Sequence, residues 1–334
     1  MGVPVVSRVR MPPGLGKPFW LAGLILLGVE LALHSETVMH RYRSVFAVGR
    51  AMDKLHFVEH RPPHVLFLGN SRTDNGVDPR TVSHVLGQPD SYSFNLGLPG
   101  ANMLTYQGIV ARLNERGVLG HQYIRAVVLG LDENALQEGN SLGYVGFLAD
   151  RTALWTYGRY GDWLGSYLRL WSYSGNLREL REPEKALRFV EASLHPIDPV
   201  GGAAANHLGY RAGFGAAQNE TQVARQEADA QRPPAPGVET FLWRTVDTLQ
   251  AHGVRVLVVT PPLRDRPSAF FDAAPAAAPY RNLLARLRER GVIVLPGPSG
   301  YTPVEFINAG HLNDRGAQRF SVELGHQLAA LDIR

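Results

Sequence analysis

The sequence predicts a doubly wound α/β domain on a parallel five-stranded sheet, preceded by a membrane-spanning helix. Three observations carry this. An apolar run near the amino terminus holds a single charge. Five short, β-branched-rich runs recur along the chain, each closed by glycine, proline or a polar residue. Helix-patterned stretches lie between them, and such alternation builds a parallel sheet with helices on both faces.

The apolar run is Pro18 to Leu33, PFWLAGLILLGVELAL, and its one charge is Glu30. It is slightly shorter than the ~20 residues of a typical spanning helix. Phe19 and Trp20 suit an interfacial belt. A cleaved signal peptide and a buried helix are the alternatives, but Ala32-Leu33-His34 makes a poor cleavage site. The run reads as an uncleaved anchor over residues 17–34, with residues 1–16 on the cytoplasmic side. Charge says little about orientation. Arg8, Arg10 and Lys17 precede the run, and Arg41, Arg43 and Arg50 follow it. Residues 35–64 read as a linker, and 65–334 as the globular domain.

The predicted strands are Val65–Gly69, Ser91–Gly97, Arg125–Asp132, Val254–Pro261 and Gly291–Leu295. The predicted helices are Thr81–Leu86, Asn102–Arg116, Val238–His252, Pro279–Arg290 and Arg315–Leu331. The alternation stops across residues 133–237, too long for a plain connection. Its first half holds Trp155, Tyr157, Tyr160, Trp163, Tyr167, Trp171 and Tyr173; its second, Gly201 to Pro236, is rich in Ala, Gly, Gln and Pro. This reads as a helical insertion followed by a loop. Its aromatics form either a local core or a lid or docking surface over the strand ends.

Composition narrows the chemistry. The 34 basic and 30 acidic residues are scattered, with no basic run interleaved with aromatics. That argues against a nucleic-acid groove. The chain has no cysteine, which excludes disulfides, thiol nucleophiles and Cys-ligated metal sites.

In an open parallel sheet, ligands bind beyond the carboxyl ends of the strands. Ser71 in "VLFLGNSRTDNGVDP" follows the first strand, Gly97 and Gly100 in "FNLGLPGANM" follow the second, and Asp132 follows the third. His311 stands in "FINAGHLNDRGAQRFS", just before the last helix. A serine hydroxyl needs a base, the base needs a group to fix its tautomer, and the oxyanion needs waiting donors.

The pieces "LGNSR…DP", "NLGLPG", "LGLDEN" and "HLNDRGAQRFS", in that order, resemble the SGNH (GDSL-like) hydrolase superfamily. The nearest likeness is to its membrane-anchored bacterial branch linked to O-acylation of cell-surface polymers, relatives of the alginate acetylation proteins and of the D-alanyl transfer protein of teichoic acid synthesis. The resemblance covers residues 65–132 and 254–331. It implies a flavodoxin-like SGNH sheet, with Ser71 as nucleophile and His311 as general base. Gly100, or else Gly97, would donate a backbone N–H to the oxyanion. Asp132 falls where the superfamily has an oxyanion-donating asparagine, and Asn308 falls where it has the aspartate of Asp-x-x-His.

Both departures matter. An ionised Asp132 cannot donate, so it is protonated, turned away or otherwise employed, leaving glycines with Asn70 or Asn95 as donors. Asn308 can orient an imidazole through its carbonyl oxygen but offers no charge to the imidazolium. Either a dyad suffices, or Glu305 or Asp314 substitutes, or hydrolysis is lost and binding kept. Asn308 reads equally as a turn residue, and Asp314 as a helix-start residue.

Two motifs are set aside. "HFVEH", His56 to His60, matches the metalloprotease pattern H-x-x-E-H but reads as a linker face with no long helix to hold it. "GLGK", Gly14 to Lys17, lacks P-loop spacing.

The resemblance implies a periplasmic, single-pass inner-membrane protein that transfers or removes acyl groups, acetyl foremost, on a cell-surface polysaccharide. It implies a multi-spanning membrane acyltransferase as partner, with no metal or other cofactor. The alternative is an SGNH-fold assembly factor that binds glycan or that acyltransferase; a plain esterase is a third reading.

Overall fold

A computed structural model of the chain describes residues 16–35, 38, 47–120, 122–132, 137, 143–194, 207–213, 215, 235, 237–264 and 278–333. Helix α1 (Gly16–His34) is long and apolar enough to cross a membrane, and only its Leu33 is buried. Helix α2 (Ala47–His60) follows. Next come β1 (Val65–Gly69), α3 (Ser71–Gly76), α4 (Pro79–Val85), β2 (Ser93–Gly97), α5 (Met103–Glu115) and β3 (Ala126–Gly130). The insertion contributes α6 (Tyr144–Leu148), α7 (Arg151–Thr156), α8 (Tyr160–Tyr167), α9 (Arg169–Arg178) and α10 (Pro183–Leu194). The chain closes with α11 (Val238–Ala251), β4 (Arg255–Val259), α12 (Ala278–Glu289), β5 (Ile293–Val294) and α13 (Asp314–Ala330).

The five strands are all parallel, in the order β2-β1-β3-β4-β5. The order reverses at β1, so β1 and β3 flank the crevice where such sheets bind ligands. β1, β2 and β3 are buried at every position, because helices cover both faces. The two-residue period of a strand splits its side chains between two cores. Leu66, Leu68, Val127, Leu129, Val256 and Val258 join one core with α2, α5, α11 and α12. Val65, Phe67, Ala126, Val128, Leu257 and Val259 join the other, against α13.

The segment 35–64 is not a plain linker. Its α2 puts Val48, Ala51, Met52, Leu55 and Val58 into the first core. Lys54 is buried with them at 1% exposure, and that charge interrupts the apolar stripe that marks a core helix. The insertion is helical over residues 144–194. Its aromatics are not simply a local core, since Trp155, Tyr160 and Trp171 are exposed while Tyr173 is buried. The Gly201–Pro236 stretch lies largely outside the described residues.

Candidate active site

Ser71 opens α3 where β1 ends. Asn70 is the N-cap, with extended backbone (φ −79°, ψ −157°) and an Oδ1 that accepts the Arg72 N–H at 2.9 Å. A capping asparagine thus turns the chain so that the serine enters the first helical turn. The Ser71 N–H meets no acceptor among the described residues.

His311 arrives from the opposite end of the domain. An antiparallel bridge between Phe306 and Leu312 closes a loop, and the Ile307 N–H donates to the His311 carbonyl at 2.9 Å. Asn308 lies in that loop. Its Oδ1 accepts the backbone N–H groups of Gly310 (3.1 Å) and His311 (3.0 Å), and His311 Nδ1 at 2.8 Å. Two backbone donors identify the oxygen of the amide, and an oxygen requires Nδ1 to carry the proton. Nε2 is then the bare nitrogen. It lies 2.7 Å from Ser71 Oγ and accepts the hydroxyl proton. Ser71, His311 and Asn308 therefore form one hydrogen-bonded line, with Asn308 in the orienting position and not merely in a turn.

Neither Glu305 nor Asp314 replaces the missing charge at Nδ1. Glu305 is spent on a capping box with Thr302 and on Arg319. Asp314 accepts from Tyr210 Oη and the Gly213 N–H. Burial, with the Arg72 guanidinium close by, pushes the His311 imidazolium down to about 4. The base is neutral at pH 7, but its protonated form is poorly stabilised.

Asp132 is not an oxyanion donor. It is buried, accepts from Asn70 Nδ2 at 2.8 Å and pairs with Arg72 Nη1 at 3.3 Å. It braces the Asn70–Arg72 turn from the end of β3. Gly97 is not a donor either. Its N–H goes to Asn95 Oδ1 at 2.8 Å, and its carbonyl accepts Lys54 Nζ at 2.7 Å. It is a glycine because a Cβ there would stand 2.5 Å from the Asp74 backbone nitrogen, at α3. Asn95 spends its amide on the Thr73 and Val77 carbonyls, at 2.8 and 2.7 Å. Gly100 keeps its candidacy. Leu98-Pro99-Gly100-Ala101 is closed by an Ala101 N–H to Leu98 carbonyl bond at 3.0 Å, with Gly100 at φ +72°. Proline second and a left-handed glycine third make a type II turn. The Gly100 N–H meets no acceptor among the described residues.

Sequence reasoning missed the ionic support beneath the serine. Lys54 Nζ reaches Asp74 Oδ1 at 2.7 Å, and Arg50 Nη2 reaches Asp74 Oδ2 at 3.0 Å. Burial lowers the Lys54 ammonium to about 8, with Asp74 acting in the opposite direction. Asp74 stands three residues after Ser71, one helical turn on. Only Asp74 carried a sequence signal, its place beside the serine; Lys54 was hidden in the supposed linker. Arg72 crosses the site the other way. A Cβ on Gly310 would meet its Nε at 2.5 Å, so the guanidinium lies against the chain just before His311.

A cavity of about 350 Å³ lies between the start of α5 and the insertion, lined by Asn102, Thr105, Tyr144, Arg159, Asp162 and Trp171, among others. Ser71, His311 and Asn308 do not line it. It is a separate space from the hydrogen-bonded line.

The His56-x-x-Glu59-His60 motif does sit on a helix, the last turn of α2, with candidate ligand atoms within 4.8 Å of one another. Its carboxylate already has a partner: Glu59 takes two hydrogen bonds from Arg112 and lies 3.8 Å from Arg116. His60 Nδ1 bonds the His56 carbonyl at 2.8 Å. An ion pair onto α5 accounts for the glutamate.

Compared with known protein families and with curated proteins, the chain matches none.

Proposed function

We propose that this chain is a membrane-anchored serine acyl-transfer protein of SGNH type, acting on O-acyl groups, acetyl foremost, of a cell-surface polysaccharide. The observation that carries it is the line Ser71 Oγ, His311 Nε2, His311 Nδ1, Asn308 Oδ1, at 2.7 and 2.8 Å. The strand order β2-β1-β3-β4-β5 is that of flavodoxin-like sheets, with Ser71 at the switch point. That supports the SGNH reading of the fold.

The proposed chemistry uses this geometry. Ser71 Oγ attacks the acyl carbonyl of the donor ester while its proton passes to His311 Nε2. The Nδ1–H stays on Asn308 Oδ1. The Ser71 and Gly100 N–H groups take the oxyanion. Collapse breaks the donor ester bond, and His311 returns the proton to the departing alkoxide. An acceptor hydroxyl then gives its proton to His311 and attacks the acyl-serine carbonyl; the acyl–Oγ bond breaks, and His311 returns the proton to Ser71 Oγ. If the acceptor is a sugar the outcome is transfer; if water, hydrolysis. No cofactor takes part in this scheme. In it, α1 anchors the protein in the inner membrane with residues from Val65 onward in the periplasm, beside a multi-spanning acyltransferase that supplies acyl groups.

A second reading has a specific observation behind it. With Asn308 in the orienting position, burial and Arg72 disfavour the imidazolium, and the Asp74 charge does not offset them. That favours an assembly factor that binds glycan or the acyltransferase without turnover. Polymer O-acylation in cells carrying Ser71→Ala at wild-type level separates the two. Catalysis requires its loss, and the binding role requires its retention.

A further inference from the structure

The insertion carries exposed aromatic and aliphatic side chains, and it is tied to α1. Glu30 is the only charge between Pro18 and Leu33. Its carboxylate is hydrogen-bonded to the insertion. It accepts the backbone N–H groups of Arg169 (2.7 Å) and Leu170 (2.8 Å), the first residues of α9. These are orphan donors of a helix start, and a carboxylate suits that positive end. His34 Nε2 bridges Glu30 Oε1 (2.9 Å) and the Tyr167 carbonyl (3.1 Å), and Arg169 Nη1 donates to the Leu33 carbonyl at 2.9 Å. The last turn of α1 is therefore clamped to the α8–α9 corner.

Apolar side chains spread outward from that clamp. Trp171 is 76% exposed, Tyr160 57% and Trp155 55%. Leu164, Tyr167 and Leu168 are also exposed. The rings are continuous: Tyr167 meets Trp163, Trp163 meets Trp155, and Trp155 meets Tyr160, with centroids 4.9–5.1 Å apart. Phe19 and Trp20 stand at the other end of α1. The 19 residues of α1 span about 28 Å at the helical rise, close to the ~30 Å of a hydrocarbon core. Aromatics at both ends of such a span are the pattern of interfacial belts.

We infer that α7–α9 form a foot that rests in the bilayer interface around the end of α1, holding the globular domain in a fixed pose on the membrane. The occupant of this apolar face is lipid, because the face continues directly from the spanning helix. The inference rests on the anchor reading of α1. Burying these rings in the interface removes their apolar area from water, which favours that pose. The Glu30 clamp makes the foot and the span one unit, so an acceptor polymer would meet Ser71 at a set height.

The test uses the full-length protein in nanodiscs whose lipids carry bromine shallow or deep on the acyl chains. Trp20 reports on the anchor, and Trp155 with Trp171 reports on the foot. In a Trp20→Phe variant, shallow bromines should quench fluorescence strongly, and adding Trp155→Phe and Trp171→Phe should remove most of that quenching. Quenching of Trp20 alone would overturn the foot and leave the anchor standing. No quenching of Trp20 would remove the anchor, and the foot with it. Glu30→Gln should speed amide exchange at Arg169 and Leu170 in the same nanodiscs, and unchanged exchange would overturn the clamp.

Discussion

His311 donates twice to Asn308, through its backbone N–H at 3.0 Å and through Nδ1 at 2.8 Å, both into one amide oxygen. That single acceptor fixes the loop and the tautomer together. It also defines what the site lacks, because an amide oxygen orients an imidazole without compensating its charge.

Asn308→Asp is therefore the informative substitution. The carboxylate would keep all three acceptor bonds and add a negative charge beside Nδ1. The His311 imidazolium should rise from about 4, as followed by NMR titration of its ring protons. Acyl turnover at neutral pH should rise at least about tenfold, the equivalent of one pKa unit of charge stabilisation. A raised pKa with unchanged turnover would separate orientation from catalysis and favour the binding role.

The pH dependence carries a sign. His311 is neutral above about 4, whereas an exposed histidine titrates near 6.5. The acid limb of the acylation rate should lie near pH 4, not near 6.5. Between those values the unfolded chain binds more protons than the folded one. Stability held above 6.5 is therefore lost as pH falls towards 4. Urea titrations of wild type and His311→Gln at neutral and mildly acidic pH measure the difference, which should narrow at the lower pH.

Gly310→Ala tests the Arg72 brace. The new methyl would fall 2.5 Å from Arg72 Nε, so the guanidinium must move and its pairing with Asp132 is disturbed. Overpacking of this kind costs ~1–3 kcal/mol. Acylation of Ser71 should fall more steeply than stability, since the same shift displaces His311. Equal stability and activity to wild type would remove Arg72 from the account of the site.

The buried pair beneath α3 sets a fourth expectation. Lys54→Met removes one of the two ion pairs to buried Asp74 and leaves the one with Arg50. Removing one member of a buried ion pair costs ~3–5 kcal/mol, because the remaining charge stays desolvated. Chemical denaturation should show that loss, and adding Asp74→Asn should recover part of it. No recovery in the double variant would mean that Lys54 acts through Gly97 and packing alone.

The sheet and the hydrogen-bonded line were legible for the same reason. Strands buried on both faces read as unbroken apolar runs, and each candidate group sits where such a run stops. The ends differed slightly, as with β5, which shortens to Ile293–Val294. Helix α2 was not legible, because Asp53 and Lys54 are buried within its apolar stripe. Gly97 stands as the alternative to Gly100 in the sequence because a strand-end glycine looks the same whether a ligand or a helix backbone comes close. Asp132 was placed correctly at the strand end, but its partners Asn70 and Arg72 lie sixty and more residues upstream, and no local pattern connects them. The α1–α9 clamp was equally hidden, since Glu30 read only as a lone charge in an apolar run.

The central claim is that Ser71 is an activated nucleophile. A fluorophosphonate probe, with intact-mass and peptide analysis of the full-length protein, tests it most directly. The account predicts one covalent adduct on Ser71, lost in Ser71→Ala and in His311→Ala, because nucleophile and base act as a unit. An unlabelled wild type whose Asn308→Asp variant is also unlabelled would contradict it.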